Sequence, residues 1–138
     1  MSASQGQPAT DRPARAIGLE LLTQEKWTEA EPLLRECLAI REKKEPDVWS
    51  TFDTKSLLGG ALLGQKKYAD AEPLLLAGYE GMKQREKTIP PLGSTRIADA
   101  TERLVQLYEA IDKKDDAAKW RKELEAIKPT QKNMEKQP

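Results

Sequence analysis

Residues Leu21 to Leu34 read LLTQEKWTEAEPLL, and residues Leu62 to Leu75 read LLGQKKYADAEPLL, 41 positions further along the chain. Nine of these fourteen aligned pairs are identical, whereas ordinary amino-acid composition would produce about one identity by chance. The two stretches are therefore copies of one repeated unit.

A more divergent third copy follows 46 positions after the second one. It shares three slots with the second copy: Leu58, Leu62 and Ala71 recur as Leu104, Tyr108 and Ala117. Each copy contains two stretches with the apolar period of an α-helix, separated by a short polar turn. The sequence therefore predicts an all-α fold of three antiparallel helical hairpins, which stack as a solenoid because each buries its apolar face on its neighbours.

The predicted hairpins span residues 13–44, 47–87 and 94–128. Their first helices are predicted at Pro13–Gln24, Asp47–Gln65 and Ser94–Ile111, and their second helices at Trp27–Lys44, Tyr68–Lys87 and Lys114–Lys128. The flanking residues 1–11 and 129–138 are mostly polar and have almost nothing to bury. We therefore expect disordered tails on either side of a repeat domain of residues 12–128.

Five residues are interpreted as signals of helix ends. Asp47 and Ser94 are favourable N-caps, and Thr28 and Glu31 have the spacing of a capping box. Pro129 is predicted to end the last helix, because proline cannot donate the backbone hydrogen bond that continuation requires.

Composition and charge narrow the functional classes. Basic and acidic residues each number 23, so the chain has no net charge to attract a polyanion, and nucleic acid is not an expected partner. No apolar run approaches the roughly 18 residues that cross a bilayer, and the N-terminal residues lack the pattern of a signal peptide. We expect a soluble cytoplasmic chain that does not bind membranes.

The residue types that most often carry chemistry are scarce. The chain has no histidine, and Cys37 is its only cysteine. This removes imidazole bases, the usual nucleophile pairs, zinc sites and intrachain disulfides. We therefore expect no enzymatic activity, no metal and no cofactor.

The repeated slots resemble those of the tetratricopeptide repeat family, and especially its longer kinesin-light-chain-like variety. The matching residues are Gly18, Leu21, Trp27, Ala30 and Leu34 in the first copy, Leu58, Gly59, Leu62, Tyr68, Ala71 and Leu75 in the second, and Leu104, Tyr108 and Ala117 in the third. Residues 102–124 are also similar to the C-terminal repeat region of large bacterial serine/threonine kinases. The resemblance implies a right-handed solenoid whose concave groove, lined by the first helix of every hairpin, binds a protein or peptide.

Carrying the groove-facing slots of that family onto this chain gives three sets of candidate binding residues. They are Arg12, Arg15, Leu19 and Leu22, then Asp53, Ser56, Gly60 and Leu63, then Asp99, Glu102, Gln106 and Glu109. Within each set the spacing is three or four residues, which places the set along one stripe of a helix.

In chain order the three stripes change from basic, through small and apolar, to acidic. Our hypothesis is that this gradient orients a bound peptide, with its acidic end near Arg15 and its basic end near Glu102 and Glu109. Ordinary surface charge is the alternative explanation of the same pattern.

Three further positions have structural interpretations. Cys37 shares its slot with Gly78, where the family prefers small residues between helices, so it is interpreted as a buried and inert thiol. Trp49 and Phe52 flank the start of the long middle helix. They either pack on the first hairpin or form an apolar patch for a partner.

Two functions from other classes stay open at this point. A notch near Gly60 and Leu63 would suit small-molecule sensing, or an accessory regulatory role in a larger signalling enzyme. The exposed edge of the terminal hairpin would suit self-association, because three repeats end without an obvious extra capping helix. The oligomeric state does not follow from the sequence.

Overall fold

The computed structural model describes the backbone of residues 7–91 and 95–136, and the side chains of residues 14–91 and 95–127. Its helices are α1 (Gln7–Thr23), α2 (Trp27–Lys44), α3 (Trp49–Gly64), α4 (Tyr68–Gln84), α5 (Arg96–Ala110) and α6 (Lys114–Lys136), with one turn of 3₁₀-helix at Glu86–Thr88. No strand occurs in these described ranges. The predicted all-α fold of three hairpins is confirmed.

The helices pack as a stack of hairpins. Each helix contacts the next one along the chain, and α3 also contacts both α1 and α5. The first helices of the three hairpins therefore lie side by side on one face of the molecule. None of the described helices combines the length and the apolar character needed to span a membrane.

One turn geometry recurs in all three hairpins. Glu25, Lys66 and Asp112 occupy the same repeat slot, and each has a positive φ, of 60°, 66° and 60° respectively. The residue after each of them donates its backbone N–H to a carbonyl five positions back, at 2.8, 2.9 and 2.9 Å. This is the αL turn that closes a helix C-terminus, and it reverses the chain in every copy.

In each of the first two hairpins, the two helices make a close contact at a glycine. A Cβ placed on Gly18 would lie 2.7 Å from Leu34 Cδ2, and one placed on Gly59 would lie 2.7 Å from Leu75 Cδ2. Both leucines are fully buried. Because real Cβ contacts are longer than this, only glycine lets the two helices of each of these hairpins approach so closely.

The outer helices are longer than predicted. α1 begins at Gln7 rather than Pro13, and α6 continues through Pro129 to Lys136. Pro8 lies in the first turn of α1, where backbone donors have no helical partner and a proline is tolerated. At Pro129 the helix loses one backbone hydrogen bond without ending. The predicted tails are thus helical at 7–11 and 129–136, and residues 1–6 and 137–138 lie outside the described part.

The predictions of helix caps were wrong wherever the structure describes them. The N-cap of α3 is Val48, with no side-chain cap bond, and Asp47 instead accepts a hydrogen bond on its carbonyl oxygen from Arg85 Nε, at 2.6 Å. Ser94 lies outside the described residues, and Thr95 occupies the N-cap of α5. In the middle repeat, a link to α4 has replaced the expected local cap.

The predicted capping box of α2 is also wrong. The N-cap is Lys26, with no side-chain cap bond. Glu31 instead accepts a hydrogen bond from Gln65 Nε2 of the next hairpin, at 2.8 Å, and one from Arg35 Nε, at 2.7 Å. Both bonds lower the pKa of Glu31, and the bond from Gln65 has the larger effect.

The equivalent glutamate of the second copy makes a similar bond between hairpins. Glu72 Oε2 accepts a hydrogen bond from the hydroxyl of Tyr108 on α5, at 2.7 Å. The glutamate of the repeated AEPLL segment therefore joins each of the first two hairpins to the one that follows.

We expect Gly59→Ala to destabilise the protein. Overpacking costs about 1–3 kcal/mol, and this outweighs the gain in helix propensity of about 1 kcal/mol that alanine would bring. In a Leu75→Ala background the clashing side-chain atoms are gone and only the backbone nitrogen of residue 75 remains close, at 3.2 Å, so the same Gly59→Ala change should cost much less. Urea unfolding of the four proteins measures both effects, and an equal cost in the two backgrounds would contradict the contact.

Candidate functional site

A cavity of about 290 Å³ opens on the face formed by α1, α3 and α5. Seven of the twelve candidate groove residues line it, and they come from all three helices: Leu19, Leu22, Gly60, Leu63, Asp99, Glu102 and Gln106. The lining also includes four residues outside the predicted set: Thr23, Trp27, Gly64 and Arg103. The structure thus brings together at one site the last two residues of the first and second predicted stripes and the first three residues of the third.

The apolar wall of the cavity is built from α1, the start of α2 and the end of α3. Leu19, Leu22 and Leu63 line this wall beside the indole of Trp27. Gly64 lies directly beneath that indole, and any Cβ there would overlap the ring. Glycine at the last position of α3 therefore lets the tryptophan of the first hairpin pack against the second.

The polar wall comes from α5. Asp99, Glu102 and Gln106 follow one another at spacings of three and four residues, and Arg103 lies one helical turn after Asp99. Arg103 Nη1 donates a hydrogen bond to Ser56 Oγ at 3.0 Å. Its Nε would lie 3.0 Å from a Cβ on Gly60, so Gly60 gives the guanidinium room to cross the floor of the cavity.

Two predicted groove residues, Asp53 and Ser56, lie beneath the surface rather than on it. Asp53 is 1% exposed and Ser56 is fully buried. Asp53 forms a salt bridge with Arg15 of α1, and Ser56 accepts the hydrogen bond from Arg103. These residues connect α3 to the first helices on either side, so they support the groove and are not accessible to a partner.

The salt bridge to Asp53 also corrects the predicted charge gradient. The Arg15 side chain is only 15% exposed, and its charge is already compensated inside the protein. Replacing Arg15 would leave a buried carboxylate without its partner, which destabilises a protein strongly. The side chain of Arg12 lies outside the described residues.

At the acidic end, the residues differ in how far they are already paired. Glu109 forms a salt bridge with Arg121 of α6. Neither Asp99 nor Glu102 forms a salt bridge with any residue whose side chain the structure describes. Glu102 is exposed and Asp99 is half-buried.

Burial raises the pKa of Asp99, against the opposing attraction of Arg103 and Arg96. Burial likewise lowers the pKa of Arg103, against the attraction of Asp53 and Asp99, although a guanidinium keeps its proton at any physiological pH. The carboxylate of Asp99 is therefore partly removed from water, and Arg103 and Arg96 do not fully compensate its charge.

Trp27 and Arg103 are the functional candidates that sequence reasoning missed. Trp27 shares its repeat slot with Tyr68, and a recurring aromatic slot indicates a structural role. Arg103 follows Asp99 by four positions, a spacing that places the two on one helix face. That spacing could have indicated that Arg103 lies beside Asp99. Arg103 was not among the candidates, because its slot is not one of the groove-facing slots of the tetratricopeptide repeat family.

The two aromatic residues in the first turn of α3, Trp49 and Phe52, do not form a separate binding patch. Phe52 packs on Gly81 of α4, where any Cβ would overlap its ring, so it contacts its own hairpin rather than the first one. Arg85 Cζ lies 4.4 Å from the centre of the same ring. Trp49 is half-buried and packs against the core.

The remaining chemistry-bearing groups are few. Cys37 is fully buried, as its slot predicted. Across the described side chains, no group of three or more histidine, cysteine, aspartate or glutamate residues is placed to hold a metal ion. The cavity between α1, α3 and α5 is therefore the candidate functional site.

Residues 15–45, which cover α2 and the second half of α1, match the sequence profile of the tetratricopeptide repeat. Comparison with curated proteins gives no match. Together with the three hairpins and their recurring turn, the match shows that the fold is an all-α solenoid of the tetratricopeptide type. Repeats of this kind generally mediate protein–protein interactions and typically serve as non-enzymatic scaffolds.

We expect Asp99→Asn to be more stable than the unchanged protein at neutral pH. Because folding raises the pKa of Asp99, its contribution to stability is full below the usual carboxyl pKa of about 3.9 and falls as the pH rises through the folded value. Asparagine does not ionise, so the Asp99→Asn protein does not lose this part of its free energy of unfolding.

Urea unfolding of both proteins at pH 4 and pH 7 measures the effect, which should grow with pH. A variant that is less stable than the unchanged protein, by more at pH 7 than at pH 4, would show that Arg103 and Arg96 fully compensate the carboxylate.

Proposed function

We propose that this chain is a protein-interaction module that binds an extended polypeptide segment in the groove formed by α1, α3 and α5. The supporting observation is the cavity that these helices share, with a wall of leucines and tryptophan facing a polar stripe on α5. A few convergent polar groups beside apolar side chains are typical of binding sites. Kinship with the kinesin-light-chain-like variety, and a cytoplasmic location, belong to the same proposal.

The size of the cavity favours a side chain of a longer ligand over a free small molecule. Its volume of about 290 Å³ lies at the lower limit of ligand pockets, which span about 300–1,000 Å³. The cavity also opens along the first helices rather than being enclosed by them. A polypeptide can place one residue in the cavity and gain further contacts along the groove.

Small-molecule sensing is the second candidate, since the notch predicted near Gly60 and Leu63 is this same cavity. In that case the chain would be a regulatory appendage of a larger signalling enzyme. A thermal-shift screen with metabolites distinguishes the two, because a small ligand that occupies the cavity raises the melting temperature without any peptide present.

Leu19→Glu should weaken peptide binding, because it places a charge on the apolar wall of the cavity. The matched control is Ile17→Glu, which makes the same change on the same helix at a side chain that is 52% exposed and does not line the cavity. Peptides selected from a random library by the unchanged protein should bind Leu19→Glu at least about tenfold more weakly, a difference of about 1.4 kcal/mol.

The same peptides should bind Ile17→Glu with unchanged affinity, as measured by fluorescence anisotropy. Circular dichroism establishes that both variants remain helical. Equal affinity for the unchanged protein and a folded Leu19→Glu variant would exclude the groove as the binding site.

A further inference from the structure

The two facing walls of the cavity differ in chemistry. Leu19, Leu22 and Leu63 offer aliphatic surface, whereas Asp99 and Glu102 offer carboxylates from the facing helix. Long cationic side chains have the same division, since lysine and arginine carry a charged group on a hydrocarbon stem that prefers apolar surroundings.

The charged side chains that line the cavity have a net negative charge. They are Asp99, Glu102 and Arg103. Arg96 also attracts Asp99, but it is not part of the lining. Arg103 already donates a hydrogen bond to Ser56 Oγ at 3.0 Å and is attracted by both Asp53 and Asp99. Asp99 and Glu102 form no salt bridge with a residue of described side chain, so a ligand that supplies a cation would complete the pairing.

An acidic ligand fits the site less well. It would have to approach Arg103 beside Asp99 and Glu102, and like charges at short distance repel. The other basic residue of the predicted stripes, Arg15, is held by Asp53. The raised pKa of Asp99 agrees with this assignment, because a nearby positive charge would favour the ionised carboxylate.

On this basis, and resting on the proposed function, we propose that the cavity receives a lysine or arginine side chain of a basic polypeptide segment. The stem of that side chain lies on the leucines and Trp27, and its cationic group meets Asp99 and Glu102. Glu109 contributes less than the sequence suggested, because Arg121 already occupies it. The partner is thus a segment with at least one exposed basic residue.

The test uses the whole chain and a library of random short peptides. Peptides captured by the unchanged protein should be enriched in lysine or arginine at one position. For the best binder, replacing that residue with norleucine, which keeps the stem and removes the charge, should weaken binding by about tenfold or more. Binding should also weaken as the salt concentration rises.

The matched protein variant is Asp99→Asn combined with Glu102→Gln, which keeps the shape of both side chains. This variant should fold, because Glu102 is exposed and because we expect Asp99→Asn to make the protein more stable. It should bind the lysine and norleucine peptides with nearly equal affinity. The paired measurement therefore isolates the charge contact from the rest of the interface.

The outcomes separate this inference from the proposed function. Peptides that lose binding to Leu19→Glu but carry an apolar or acidic residue at the selected position would overturn the cationic anchor and leave the groove intact. A lysine whose replacement weakens binding equally in both proteins would also overturn it. Capture of no peptide, or capture that Leu19→Glu leaves unchanged, would contradict the proposed function itself.

Discussion

The close approach of paired helices at Gly18 and Gly59 is the constraint on which the rest of the structure depends. Each glycine faces a fully buried leucine with no room for a Cβ. Because dispersion contacts and apolar burial both require near-contact distances, this spacing lets the two helices of the first and of the second hairpin bury apolar side chains against each other. The third hairpin departs from the pattern, with Val105 and Arg121 in the equivalent slots. There Trp120 packs edge-on against Tyr79 of the second hairpin, with ring centres 4.8 Å apart.

Stacking of the hairpins then depends on polar contacts as well as apolar ones. Two buried groups of α3 link it to its neighbours: Asp53 pairs with Arg15 of α1, and Ser56 accepts a hydrogen bond from Arg103 of α5. Removing one partner of a buried ion pair is strongly destabilising, because the other charge stays buried without hydration or an opposite charge. These contacts hold the first helices side by side, so the groove and the scaffold share residues.

Because some groove residues also belong to the scaffold, the exposed surface of the groove is less basic than the residues of the predicted stripes suggest. Arg15 and Arg103 serve the scaffold, whereas Glu102 remains exposed and Asp99 is only half-buried. The charge that a partner would meet is therefore negative at the α5 wall, although the whole chain has equal numbers of basic and acidic residues. The proposed recognition depends on this local balance rather than on the net charge, since charges further apart than about 8–10 Å are largely screened in physiological salt.

The sequence by itself determined the three hairpins, their recurring turns and the placement of each candidate set along one stripe of a helix, because helical period and repeat spacing are local properties of the chain. Only the tertiary structure decided how deep each position lies. Asp53 and Gly60 share a stripe, yet Asp53 is buried and paired with Arg15, while Gly60 lines the cavity and leaves room for the side chain of Arg103. Periodicity specifies the direction of a side chain but not the neighbour that it meets, and that neighbour comes from another hairpin about 40 residues away along the chain.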